Sequence, residues 1–368
     1  MTLGVEEEFL LVDADTGLPS PGSAVVLEHA RAQPRAVSVQ TEMLSTQVES
    51  ATAVCTGLDE LHGQLSEGRA LLAAAARANG MRLLSTGTPV LRDGAPPPTD
   101  GERFASIIGA YAEVAAHYQV SGCHVHVGVP DRDTAIAVIN HLRPWLPTLL
   151  ALSANSIFSE GRDSGYASWR VLEQSRFPGW GVTPWFASAR DYDDEVGRLI
   201  ACGAVMDEAM SFWLARPSPH LPTVEVRVAD AVPTAEDAVL QAALTRALVL
   251  TALSDLDGGR EAGRVGDQVT AAAVWSAARH GLRGAAVHPF RMRRVPATVM
   301  VAELFKHVRP ALEETGDLRR VERSLKAVVR DGSGADRQRA AAAKGPHAVI
   351  AMLADELLRQ RTDLADRG

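Results

Sequence analysis

The chain has 368 residues, 46% of them hydrophobic and 22% charged, with a formal net charge of −8. That length holds one large domain or two ordinary ones, and the composition is that of a globular protein. The negative balance argues against a broad nucleic-acid surface, which needs lysines and arginines to displace phosphate counterions. Cys55, Cys123 and Cys202 are too few and too widely spaced for a disulfide framework, and suggest reduced thiols in a cytoplasm. The first residues run directly into Gly4-Val5-Glu6-Glu7-Glu8, so no secretory leader is expected. Apolar runs such as Leu71 to Ala76 fall well short of a membrane span.

Short β-branched segments predict strands over 3–12, 36–44, 81–86, 119–129 and 222–229. Longer segments rich in Ala, Leu and Arg have helical spacing. They cover 57–79, 101–118, 132–142, 145–156, 190–214, 234–256, 268–280, 297–329 and 336–365. Thr56 with Asp59, and Thr234 with Asp237, have capping-box spacing. Gly80 stands where a left-handed residue would close the first long helix, and 92–98 and 257–259 read as loops. Pro310 and Gly345-Pro346 should break or kink the C-terminal helices. No repeat or linker is visible, so the expectation is one α+β domain spanning 1–368.

The strands carry the chemistry. Side chains alternate between faces, so Glu6 and Glu8 share one face of the first strand. His124 and His126 share a face in Ser121-Gly122-Cys123-His124-Val125-His126-Val127-Gly128, with Cys123 and the valines opposite. Glu225 and Arg227 share a face in Val224-Glu225-Val226-Arg227-Val228. Glu42 lies at a further strand, and Glu49 follows seven residues later. Taken alone, a Glu-x-Glu strand is more often a solvated face, and Glu225 with Arg227 could be a cross-strand ion pair. A His-x-His strand also has a zinc-type spacing. Repetition weakens these readings. Several such strands side by side would build a wall of carboxylates and imidazoles, which repel one another unless cations hold them. Oxygen-rich sites of this kind suit magnesium or manganese.

These residues also resemble a family. Gly4-Val5-Glu6-Glu7-Glu8-Phe9, the 121–128 segment and Val224 to Asp230 are similar to motifs of the type 2 glutamate–cysteine ligase family of carboxylate-amine ligases. So are Leu150 to Ser156, Glu160 to Ser168 and Trp275 to Gly284. The resemblance implies a glutamine-synthetase-like fold: a curved, mostly antiparallel sheet with an active-site funnel on its concave face and helices on the convex one. It implies ATP, Mg2+ or Mn2+, L-glutamate, and a small amino-acid or amine acceptor, cysteine being the family default. By the resemblance, Glu8, Glu42 and Glu49 would hold one ion, and Glu6, His124 and Glu225 the ion nearest the ATP phosphates. His126 would contact substrate or phosphate. Arg227 would stabilise the transferred phosphoryl group and, with Arg279, contact the nucleotide. Arg170, Arg162 and Arg176 are candidates to clamp a substrate carboxylate. The motifs imply neither nucleic-acid nor membrane partners, and leave a homodimer open.

Two departures bear on the acceptor. Members often show Gly-Thr-His-Pro where this chain has Gly87-Thr88-Pro89-Val90, and the stretch around Trp180 and Trp185 is individual. Two readings from other classes stand beside the ligase: a zinc-dependent amidohydrolase, and a non-catalytic binding module.

Overall fold

A long strand that is acidic at one end and apolar at the other organises the molecule. The computed structural model describes residues 1–33 and 36–359. Its strands are β1 (Leu3–Asp13), β2 (Ser38–Thr41), β3 (Gln47–Ala51), β4 (Met81–Leu84), β5 (Gly122–Gly128), β6 (Phe158–Ser159), β7 (Arg162–Asp163), β8 (Ala215–Pro217), β9 (Thr223–Asp230), β10 (Ala285–His288) and β11 (Arg293–Pro296). Seven form one sheet in the order β2-β3-β1-β5-β9-β8, with β4 also pairing with β1. Every pairing in that sheet is antiparallel, as the sequence led one to expect. β6 with β7, and β10 with β11, make two separate hairpins.

Residue alternation explains the layers. Val5, Cys123, Val125, Val127, Val224, Val226 and Val228 bury on one side. There they meet the helices Arg132–Leu142, Leu146–Ser153 and Ala235–Asp257. The last helix is long and apolar enough to cross a membrane by length and composition, more so than the short runs noted in the sequence, but most of it is buried in this core. Phe9 and Leu11 continue the same face beneath the helices Ser23–Arg31 and Leu58–Ala78. On the opposite face, Glu6 and Glu8 give way to Leu10 and Val12. These are covered by the C-terminal helices Gly334–Ala342 and Pro346–Leu357. Helices thus close both sides of β1 at one end and leave the acidic end to the site.

One residue breaks the apolar pattern of the helix-covered face. Glu7 is buried there and takes a forked ion pair from Arg69, with Nε to Oε2 at 3.0 Å and Nη2 to Oε1 at 2.6 Å. Arg69 also donates to the carbonyls of Val232 and Pro233. The pair ties β1 to the chain just after β9.

Several local expectations need correction. Thr234 and Asp237 form a full capping box, but Thr56 and Asp59 do not: the helix begins at Leu58, behind Gly57. Gly80 is left-handed as expected, at φ +72°. The helix Ala297–Glu314 runs on through Pro310 and ends where Gly316, at φ +77°, turns the chain. Gly345-Pro346 does separate two helices. The expected helix 190–214 ends at Ala201, 101–118 breaks at Ala112, and 360–365 lies outside the described residues.

Candidate active site

Register sets the site. β1 pairs with β5 so that Glu6 lies opposite His124, and β5 pairs with β9 so that His126 lies opposite Glu225. β1 pairs with β3 so that Glu8 lies opposite Glu49. Four strands therefore bring their acids and imidazoles onto one patch. His124 Nδ1 stands 3.5 Å from Glu6 Oε2, and its Nε2 stands 3.6 Å from Glu8 Oε1. His126 Nε2 is 3.4 Å from Glu6 Oε1, and its Nδ1 is fixed by the Thr223 hydroxyl at 2.9 Å.

Two groups of ligand-type atoms result, each lying within 4.8 Å of one another: Glu6 with His126 and Glu225, and Glu8 with Glu42 and Glu49. The second brings together the three residues, Glu8, Glu42 and Glu49, that the sequence grouped. In the first, His126 takes the place expected for His124. Its position opposite Glu225 explains this, while His124 sits between Glu6, Glu8 and Arg227, with Nδ1 3.4 Å from Arg227 Nη1.

The electrostatics of the two groups differ. Burial, then the charges of Glu8 and Glu49, push the Glu42 carboxyl well above its usual range. Burial, then Glu6 and Glu8, raise Glu49 to about 7, although Gln40 donates to it at 2.5 Å. Burial also opposes ionisation of Glu6 and Glu225, but here it is outweighed. His124 and His126 hold Glu6 low, and Arg227 and Arg216 hold Glu225 low. Burial and the Arg227 charge keep His124 below its usual value, whereas Glu6 and Glu225 overcome burial and raise His126.

The residues fit divalent cations. Among the described residues, Nε2 of both histidines is buried without a hydrogen-bond partner, although each faces a carboxylate. The other group crowds three carboxyl groups, and burial and mutual repulsion make Glu42 and Glu49 resist ionisation, a cost that a bound cation would offset. An all-oxygen set beside an oxygen-rich set with one imidazole favours Mg2+ or Mn2+ over zinc.

The sequence model of glutamate–cysteine ligase family 2 matches residues 2–353. The chain belongs to that family. It is thereby an ATP-dependent carboxylate–amine ligase by class. A protein of Saccharopolyspora erythraea named "Putative glutamate--cysteine ligase 2-2" is 56% identical over 367 residues, covering 99% of this chain and 94% of that protein. A "Putative glutamate--cysteine ligase 2" of Salinispora arenicola is 44% identical over 339 residues, covering 92% and 89%. Among solved structures, the glutamate–cysteine ligase of Francisella tularensis, in complex with AMP, superposes with a TM-score of 0.68 at 14% identity, covering 99% of this chain and 91% of that one. The Pup ligase PafA, bound to the ubiquitin-like protein Pup, does so at 0.57 and 16%, covering 100% and 75%. At such identities these likenesses show the fold.

The family's other expected site residues fall in different places. Arg227 bonds Glu225 directly and borders His124. Arg170 is buried beside Gly122, donating to the carbonyls of Arg227 at 3.2 Å and Val228 at 3.5 Å. Among the described residues, its Nε has no hydrogen-bond partner. Asp230, itself held by the backbone of Asn155 and the hydroxyls of Ser156 and Ser168, lies 4.0 Å away. Arg162 is exposed on β7, and Arg176 is largely exposed and paired with Glu173. Arg279 lies over the Tyr166 ring and donates to the Gly165 carbonyl.

Sequence reasoning missed Arg216, Thr223 and Tyr118. Arg216 forks onto Glu225 from β8, a strand of three residues with too little alternation to detect. Tyr118 is partly buried, close enough to Arg170 and Glu8 to feel their charges.

Proposed function

We propose that this enzyme joins the γ-carboxylate of L-glutamate to the amine of a small amino acid, using ATP and forming a γ-glutamyl phosphate on the way. The observation that carries the reading is the patch itself: two cation-type groups sharing one sheet face, with Arg227 between Glu225 and His124. The Francisella enzyme's AMP complex supports nucleotide binding on this fold.

The chemistry needs such a patch. A glutamate carboxylate oxygen bonds to the γ-phosphorus of ATP as the bond to the bridging oxygen breaks and ADP departs. The amine then attacks the acyl carbon, the bond to phosphate breaks, and the nitrogen gives up a proton. The first step brings two anions together. Glu6, His126 and Glu225, and Glu8, Glu42 and Glu49, would hold cations whose charge offsets that repulsion. Arg227 offers a permanently charged donor fork to the transferred group. Arg170, with unused donor capacity in a buried position, is suited to a substrate carboxylate.

A second reading of the acceptor rests on Pro89. It lines a small hollow with Arg92, His117, Gln119, Trp169 and Glu173. A histidine there, as in many members, would add a donor and a charge that this chain lacks. Side-chain selectivity of this size is worth only ~1–3 kcal/mol, so a few substitutions can redirect it. The test is phosphate release with glutamate against a panel of amines, comparing kcat/KM for cysteine, 2-aminobutyrate and small aliphatic or unsaturated amino acids. Preference for a sulfur-free amine supports a specialised acceptor. Cysteine turned over at least as well as every analogue returns the enzyme to the family default.

A further inference from the structure

Glu225 is gripped by two arginines, and the grips differ. Arg216 lies directly across the β8–β9 pair. Its Nε donates to Glu225 Oε2 at 2.8 Å and its Nη2 to Oε1 at 3.4 Å. Its Nη1 is committed elsewhere, to the carbonyls of Ala209 at 2.9 Å and Ser211 at 2.8 Å. The side chain is 7% exposed. Arg216 is thus tied to backbone behind and to the carboxylate in front. Arg227 is tied more loosely. Among the described residues its guanidinium bonds Glu225 Oε1 and approaches His124 Nδ1, with no backbone carbonyl holding it, and its side chain is 17% exposed.

A carboxylate has about four lone-pair directions; Arg216 takes two of them and leaves two for further cationic partners. In this structure Arg227 is one such partner, on Oε1, the oxygen to which Arg216 makes its longer bond. A divalent ion at Glu6, His126 and Glu225 would compete with Arg227 for Glu225 and would repel its charge.

We propose that Arg216 is a positioning residue that fixes the Glu225 carboxylate as a cation ligand, and that Arg227 is the exchangeable partner, displaced from Glu225 towards the substrate when the cation binds. The proposal rests on the cation-site reading above. It adds a division of labour: one arginine holds the ligand and the other is released for the reaction.

The test is Mn2+ binding to the full chain by calorimetry, without nucleotide. The relevant site is identified as the one that Glu6→Gln removes. Arg216→Met should weaken that site by about tenfold or more, the size of effect seen when a ligand loses its orienting partner. Arg216→Lys, which keeps the charge but not the fork, should fall between. Arg227→Met should tighten the site or leave it unchanged, because it removes a competitor. In turnover, Arg216→Lys should raise the Mg2+ concentration needed for half-maximal rate while leaving KM for glutamate unchanged. If Arg216→Met does not fold, Arg216→Lys carries the comparison. Wild-type Mn2+ affinity in a folded Arg216 variant overturns the proposal, as does Arg227→Met weakening the site as much as Arg216→Met. Failure of the wild type to bind Mn2+ overturns the cation-site reading and this proposal with it.

Discussion

A Cβ at Gly122 would run into the guanidinium of Arg170 and lie 2.9 Å from His124 Nε2. The same residue's N–H donates to Glu8 Oε2 at 2.6 Å. Glycine there lets an arginine, an imidazole and a carboxylate approach one backbone segment. Gly122→Ala should leave a folded protein that turns over ATP about 10²-fold more slowly, because small displacements of reacting groups cost that much. Stopped or steady-state assays beside a melting curve check this, and near-normal turnover would count against placing Arg170 in the site. Arg227 makes a different prediction. If its fork acts on the transferred phosphoryl group, Arg227→Lys should lower kcat by about 10²–10³-fold while changing KM for ATP little. A raised KM with kcat intact would mark a ground-state anchor instead.

At the scale of elements, Glu7 and Arg69 show how β1 is held. Both are buried, and the arginine also closes on two carbonyls beyond β9. Arg69→Met leaves a buried carboxylate without its partner, and should cost about 3–5 kcal/mol in denaturant unfolding. Adding Glu7→Leu should recover much of that loss. A double variant as unstable as the single one would show that the carbonyl contacts, not the charge pair, hold the strand.

Where alternation is long and its opposite face is valine-rich, as in β5 and β9, the sequence displayed both strand and site face. Glu6, Glu8, His124, His126, Glu225 and Arg227 were legible for that reason. The exchange of His124 for His126 beside Glu225 was not, because it depends on which residues pair across strands, and a bulge between Cys123 and Val125 shifts that register. Arg216 was hidden by the shortness of β8. Glu7 was hidden because its partner lies 62 residues away on a helix. The Thr56–Asp59 spacing misled because Gly57, not Thr56, is the residue before the helix.

Across the whole molecule, one sheet face changes character along β1. It is apolar at Leu10 and Val12, where C-terminal helices cover it, and acidic at Glu6 and Glu8, where the site begins. Crowding Glu42 and Glu49 beside Glu8 works against stability, as their raised carboxyl values show. Such an arrangement makes sense when cations complete it for a reaction between anions. The most direct measurement is ADP formation by the full chain with Mg2+, L-glutamate and an amine, omitting each in turn and following the γ-glutamyl amide alongside. The account predicts ADP and amide in equal amounts, dependent on all three components and abolished by Glu225→Ala. ADP released at the same rate without glutamate, or γ-glutamyl amide hydrolysed without ATP, would contradict it.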